Sequence, residues 1–285
     1  MSTAQKIIKY LAIGFAIFLI VTIIYTIMVG VYSLAKFLGI SKSTQSSSEI
    51  NLSIDEINDL PNYLDIDLAY TDLEIKTGDK FEISSNNNIE YKQDGEKLIV
   101  KEKKSNVFLK DDSKKTVIVI PNNFKFEKTK FELGAGKVNI EKLETKKLEL
   151  SLGAGKTEIK EINCDEFTKI ETGSGKFEIQ SGVINNLDFE IGAGSTSLNV
   201  KLVGKNKIKA GIGKLNMNLQ ESIDSYSFKV SKGIGKISID GKDIINDNTT
   251  IGNGKNFIDI DGGIGKVDIL SLIHISEPTR LQLIS

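Results

Sequence analysis

The chain contains no tryptophan, one cysteine, one histidine and three prolines in 285 residues. The lone thiol, Cys164, excludes an internal disulfide and reads as a core or rim thiol rather than a nucleophile. Arginine is as scarce. Arg280 is the only one, and it shares the last sixteen residues with the only histidine, His274. The body of the chain therefore offers no imidazole base and no guanidinium clamp. A net charge of -1 leaves no excess of positive charge, which argues against nucleic acid as a partner. With basic residues almost all lysine, and with abundant Ile and Asn, the body reads as the product of an AT-rich bacterial genome.

Glycine is present in quantity, 25 in all, and much of it is in register. Gly-x-Gly-Lys occurs at 134–137, 153–156, 173–176, 211–214, 233–236, 252–255 and 263–266, and Gly-Ala-Gly-Ser at 192–195. A period of about 20 residues is the mark of a stacked repeat array. The flanks alternate with period two. Phe131/Leu133, Leu148/Leu150/Leu152, Leu187/Phe189/Ile191 and Phe228/Val230 precede the glycines. Val138/Ile140, Ile159, Phe177/Ile179, Leu198/Val200, Leu215/Met217/Leu219, Ile237/Ile239 and Val267/Ile269 follow them. Each repeat thus predicts a strand, a glycine corner, a second strand and a polar return such as Asn163-Cys-Asp-Glu166, with one face buried and one wet. The expected fold is all-β, a parallel β-solenoid over 131–269, with right-handed coiling as the default for parallel crossovers.

Residues 50–130 alternate less regularly and are expected to cap the array, whose open end would otherwise present unpaired backbone groups. Ile66, Leu68 and Tyr70 share one face, followed by Leu73/Ile75 and Phe81/Ile83. Gln93-Asp-Gly-Glu96 predicts a hairpin between Ile89–Tyr91 and Leu98–Val100. Thr116–Ile120 reads as a strand covered on both sides, and Asp55–Leu60 as a short helical turn ended by Pro61.

Ahead of this lies an uncharged run from Tyr10 to Leu34, long enough to cross a ~30 Å hydrocarbon core and too long for a cleaved signal. The expectation is a cytoplasmic stub (1–9), one transmembrane helix (10–35), a serine-rich linker (36–49) and a repeat domain outside the cytoplasmic membrane. At the other end, Leu270–Arg280 reads LSLIHISEPTR, which resembles one frame of a transposase adapter used in sequencing libraries. Residues 270–285 are expected to be foreign to the domain and receive no role.

Chemistry-bearing motifs are few. Gly153-Ala-Gly-Lys-Thr157 has the end of a phosphate-binding loop, but Leu150 stands where that loop needs glycine, and Thr157–Ile162 alternates as a strand instead of opening a helix. Calcium-binding β-roll repeats need an aspartate where lysine stands here. No cofactor or metal site is expected. The one polar feature in register is a lysine stripe: Lys137, Lys156, Lys176, Lys214, Lys236, Lys255 and Lys266. Stacked, these could hold teichoic acid, lipid headgroups or anionic glycan, but the reading preferred from the residues alone is solvated charges paired with neighbouring glutamates, as on most exposed strand faces.

The runs 66–85 (IDLAYTDLEIKTGDKFEISS), 94–103 (DGEKLIVKEK), 115–121 (KTVIVIP) and 131–269 (FELGAGKVNI to GGIGKVDI) together resemble the bacterial putative-adhesin family of β-strand-repeat proteins, a domain of unknown function. The resemblance implies a membrane-anchored envelope protein with no catalytic residues. It also implies kinship with envelope-stress regulators of the Lia type. Three readings follow: a non-catalytic envelope module that binds cell-wall polymer, glycan or protein; a regulatory partner of a membrane sensor; and, more distantly, a polysaccharide-active enzyme.

Overall fold

In the computed structural model the described residues are 53–57, 59–103 and 114–271. The expected stub, membrane helix and serine linker lie outside them, as does the tail from 272. Among the described residues no helix is long and apolar enough to cross a membrane. The only helical element there is a single 3-10 turn, Ile223–Ser225; the rest is all-β, one long sheet.

The described residues between 63 and 271 build nine coils with parallel pairing. Coil 1 is 63–78 and coil 2 comprises Lys97–Glu102 and Lys115–Pro121; coils 3 to 5 share the continuous strand Phe126–Ile179 and close at Gly182–Asn185. Coil 6 is Leu187–Val203, coil 7 is 205–219, coil 8 is 226–239 and coil 9 is 256–271. The register is strict. Phe189 faces Ile170, Ala193 faces both Ser174 and Ile212, and Leu198 faces Ile179 and Met217. Each inward side chain therefore meets its equivalent in the next coil, about 4.8 Å away. One column reads Val100, Ile66, Phe131, Leu150, Ile170, Phe189, Ile208, Ile260, Val230, all buried. The apolar flanks expected to face inward do so, except that Leu152 and Ile191 are only partly buried against the core.

Spatial order departs from chain order at both ends. Coil 1 pairs with coil 2 on one side (Ile66 opposite Val100) and with coil 3 on the other (Ile66 opposite Phe131), so the second coil is outermost. At the far end, Lys214 of coil 7 faces Lys266 of coil 9, and Lys266 faces Lys236 of coil 8. The order in space is 2-1-3-4-5-6-7-9-8. Charge favours the second exchange. Four residues before each corner an outward ladder reads Asp65, Lys130, Glu149, Lys169, Asp188, Lys207, Asp259, Lys229, with the sign alternating throughout. Chain order would set Lys207 against Lys229; inserting coil 9 puts Asp259 between them, and opposite charges across strands are favourable where like charges are not.

Antiparallel strands close both ends. Ile89–Asp94 pairs with Lys97–Glu102 through the Gly95-Glu96 turn, the expected hairpin. Phe81–Ser85 covers Lys115–Pro121, in which Thr116, Val117, Ile118 and Ile120 are buried. Ser53–Ile57 is a further strand on Phe81–Ser85, not the helical turn expected across 55–60: an open sheet edge supplies backbone partners that an isolated turn lacks. At the other end Thr249–Ile251 and Lys242–Asp243 lie antiparallel on coil 8. The last strand, Ile264–Ser271, runs two residues past the expected end of the repeats, and Ser271 donates from its amide to Asp240 at 2.7 Å.

Candidate functional site: the glycine corner and its ladders

The corner is where the chain changes direction and where adjacent backbones come closest. At Gly155, whose φ is +145°, an added Cβ would lie 1.9 Å from the Gly136 carbonyl oxygen, and Gly175 would meet Gly155 in the same way. Only glycine permits that approach. Coil 1 has Ala69-Tyr-Thr-Asp72 at this place and compensates with carboxylates: Glu102 accepts the Ala69 and Tyr70 amides, both at 2.8 Å, and Asp72 accepts the Lys137 amide at 2.7 Å. Tyr70 therefore does not join Ile66 and Leu68 in the core. It stands at the corner opposite Ala135, 61% exposed, because the turn breaks the alternation.

Six of the seven predicted lysines form one ladder. In space it reads Lys137, Lys156, Lys176, Ser195, Lys214, Lys266, Lys236. Lys255 is apart from it. Gly252 and Gly254 pack against the backbone of Ser225–Tyr226, so the Gly-Asn-Gly-Lys copy is a loop entering coil 9 and not a corner. This also explains the short spacing to the last copy.

Two residues further along each strand, on the same face, lies a second ladder: Asn139, Glu158, Glu178, Ser197, Asn216, Asp268 and Ser238. Its acids take up part of the lysine charge. Lys156 bridges Glu158 at 2.8 Å and Lys176 bridges Glu178 at 2.6 Å; Lys266 bridges Asp268, and Lys236 reaches Asp243 at 2.9 Å. Lys156 holds the Glu158 carboxyl below its usual range, with Lys176 and Lys137 adding to the effect. Lys266, then Ser238, lower that of Asp268, with a contribution from Lys214. Lys137 and Lys214 make no ion pair among the described residues.

The residue between the two glycines forms a third ladder, which sequence reasoning overlooked: Tyr70, Ala135, Ala154, Ser174, Ala193, Ile212, Ile264, Ile234. The signal was in the repeats themselves, where this position changes from alanine or serine to isoleucine. On the approach side of the corner runs a trough floored by Gly134, Gly153, Gly173, Gly192 and Gly211 and edged by Glu132, Glu171 and Glu190. Among the described residues no group of three or more His, Cys, Asp or Glu is placed to hold a metal ion. The Cys164 thiol lies in the core against the carbonyls of Lys146 and Phe167, at 3.3 and 3.1 Å, and burial pushes its pKa up.

The fold and its repeated corner define a class: parallel stacked β-coils with a glycine spine. The chain belongs to the Toastrack DUF4097 family, whose model matches residues 62–261. It is also similar to solved structures named as a putative cell adhesion protein from Clostridium sporogenes (20% identity, TM-score 0.35, 78% of this chain and 99% of that chain) and a putative adhesin from Bacteroides fragilis (14%, 0.36, 78% and 98%). A third, a putative adhesin from Parabacteroides distasonis, is 16% identical with a TM-score of 0.34, covering 78% of this chain and 97% of that one. At these scores the overlays carry nothing about activity or partners. A comparison with curated proteins finds no match.

Proposed function

We propose that the protein is a non-catalytic, membrane-anchored component of the bacterial cell envelope whose β-solenoid displays a repeated surface for binding or adhesion. The observation that carries this reading is the in-register ladder of exposed lysines along the corner. Such a surface is linear and multivalent. One exposed lysine contributes at most about 1 kcal/mol, but several in a row act together on a polymer that spans them. An anionic cell-wall polymer or glycan is the partner this geometry suits. Lys137 and Lys214, which have no ion-pair partner among the described residues, would engage it most readily; the other four must first exchange a carboxylate. Anchorage by 10–35 places the domain outside the cytoplasmic membrane in this reading.

Replacing Lys156, Lys176, Lys214 and Lys236 with glutamine is expected to abolish binding of the chain to isolated envelope polymer at low salt while leaving its melting temperature unchanged. Normal binding by that variant would reduce the ladder to solvated surface. Protease treatment of intact cells is expected to remove the repeat domain, and complete protection would overturn the orientation.

A further inference from the structure

The isoleucines of the third ladder stand together at one end of the stack. Ile212 is 59% exposed, Ile264 51% and Ile234 77%, on adjacent strands of coils 7, 9 and 8. A fourth, Ile245 at 81%, passes alongside: its neighbour Ile244 donates to the Ile237 carbonyl at 2.8 Å, and Asp247 accepts the Lys232 amide at 2.7 Å. Among the described residues these four are the only exposed isoleucines. In the equivalent places on coils 3 to 6 the chain carries Ala135, Ala154, Ser174 and Ala193, so the corner does not itself require a large apolar group. Beside the isoleucines, two residues on, stand Lys214, Lys266 and Lys236.

We propose that this corner, Ile212, Ile264 and Ile234 with Lys214, Lys266 and Lys236, is a docking surface for a lipid bilayer that carries anionic headgroups. Area and charge select that occupant. Three adjacent strands span roughly 10 Å, and an apolar ridge one side chain wide covers on the order of a few hundred Å². A stable protein partner needs about 800 Å² on each side. A second copy would also bring its own three lysines against these three. A bilayer has neither restriction: short aliphatic side chains enter the headgroup boundary while lysines beside them meet anionic lipid, each adding its share. Of the acids nearby, Asp268 and Asp243 each pair with one lysine and Asp247 accepts the Lys232 amide, which leaves Lys214 without an ion pair among the described residues. The inference differs from the polymer reading in partner and in place, since it needs the isoleucines and only the C-terminal end of the lysine ladder.

The test uses the full chain reconstituted into vesicles, with a fluorophore on Ile245→Cys, which lies beside the ridge and is not one of its six residues; the native Cys164 is buried and does not compete for label. Quenching by lipids that carry a quencher near the headgroup is measured in phosphatidylcholine vesicles with and without phosphatidylglycerol. The expected result is quenching that requires phosphatidylglycerol and is reversed by high salt. Combining Lys214→Gln, Lys266→Gln and Lys236→Gln should weaken it roughly a hundredfold on a titration of anionic lipid. A label on Ala154→Cys, at the corner of coil 4, should stay unquenched. Absence of quenching at 245, equal quenching in neutral vesicles, equal quenching at 154, or self-quenching between labelled copies without lipid each overturns the proposal. Failure to bind soluble envelope polymer would leave it standing and would count against the polymer reading alone.

Discussion

Gly155→Ala separates the two demands that the corner makes on its glycines. The substitution sets a Cβ 1.9 Å from the Gly136 carbonyl oxygen at a residue whose φ is +145°. A carbon and a carbonyl oxygen need more than 3 Å, so the coils must part by over 1 Å locally, losing about two ladder hydrogen bonds at about 0.5–1.5 kcal/mol each. The backbone conformation adds about 1–3 kcal/mol. The sum, roughly 2–6 kcal/mol, is a large part of a stability that for a domain lies near 5–15 kcal/mol. Two companions divide it. Gly153→Ala sets the Cβ 2.3 Å from the Gly134 oxygen without a left-handed φ, whereas Gly95→Ala has a φ of +57° and nothing within 4 Å. Urea unfolding followed by circular dichroism should rank the losses Gly155→Ala, then Gly153→Ala, with Gly95→Ala least at about 1 kcal/mol. If the two corner variants lose no more than Gly95→Ala, the coils are not packed against one another through their glycines.

Three further outcomes are expected. Asp259→Lys would set a third positive charge between Lys207 and Lys229, costing about 1–3 kcal/mol over two cross-strand pairs; amide exchange in Asn256–Asp261 should quicken, and adding Lys229→Glu should restore much of the protection. Burial pushes the Tyr226 phenol up to about 12 from its ordinary 10.0, so the folded state holds a proton that the unfolded chain releases. Its contribution to stability is complete below pH 10 and is lost as pH rises towards about 12. A tyrosine titration compared with that of Tyr226→Phe should assign to Tyr226 a phenol that ionises only together with loss of β-sheet signal; ionisation of that phenol near its ordinary 10.0 in a still-folded protein would contradict the burial. Truncation after Ser271 should leave melting unchanged, while truncation after Ile269 removes the Ser271–Asp240 contacts and should lower it measurably.

The parallel stack was legible because two signals agreed: Leu148/Leu150 and Phe177/Ile179 alternate around glycines at a nearly constant period, and the same residues are buried. The order of the coils was not, since counting a period assumes that neighbours in the chain are neighbours in space. The sign of the residue four places before each glycine pair carried the correction, as Lys207, Lys229 and Asp259 alternate only if the last coil goes inside. Gly252–Lys255 was mistaken for a corner because the glycines match; Thr249, at the position three before the first glycine where every other corner has a buried apolar residue, and the polar Asn246–Asn248 ahead of it mark a loop. Of the lysine ladder, the register was readable, and so was pairing with neighbouring acids, which Lys156, Lys176 and Lys266 show. Glu158, Glu178 and Asp268 lie two residues from their lysines, which in a strand is the same face. The isoleucines escaped notice because an apolar residue between glycines looks inward-facing until the corner is seen to present it to solvent.

The arrangement of the last three coils carries both the electrostatic argument and the isoleucine ridge, and cysteine pairing tests it directly. Lys214→Cys with Lys266→Cys, and Lys266→Cys with Lys236→Cys, join residues opposite each other on adjacent strands. Lys214 and Lys236 stand about 10 Å apart across the inserted strand, beyond the reach of a disulfide. Under copper phenanthroline the first two pairs are expected to close and Lys214→Cys with Lys236→Cys to remain open. Closure of the 214–236 pair with the 214–266 pair open would mean that the coils follow chain order, and would contradict the account at its centre.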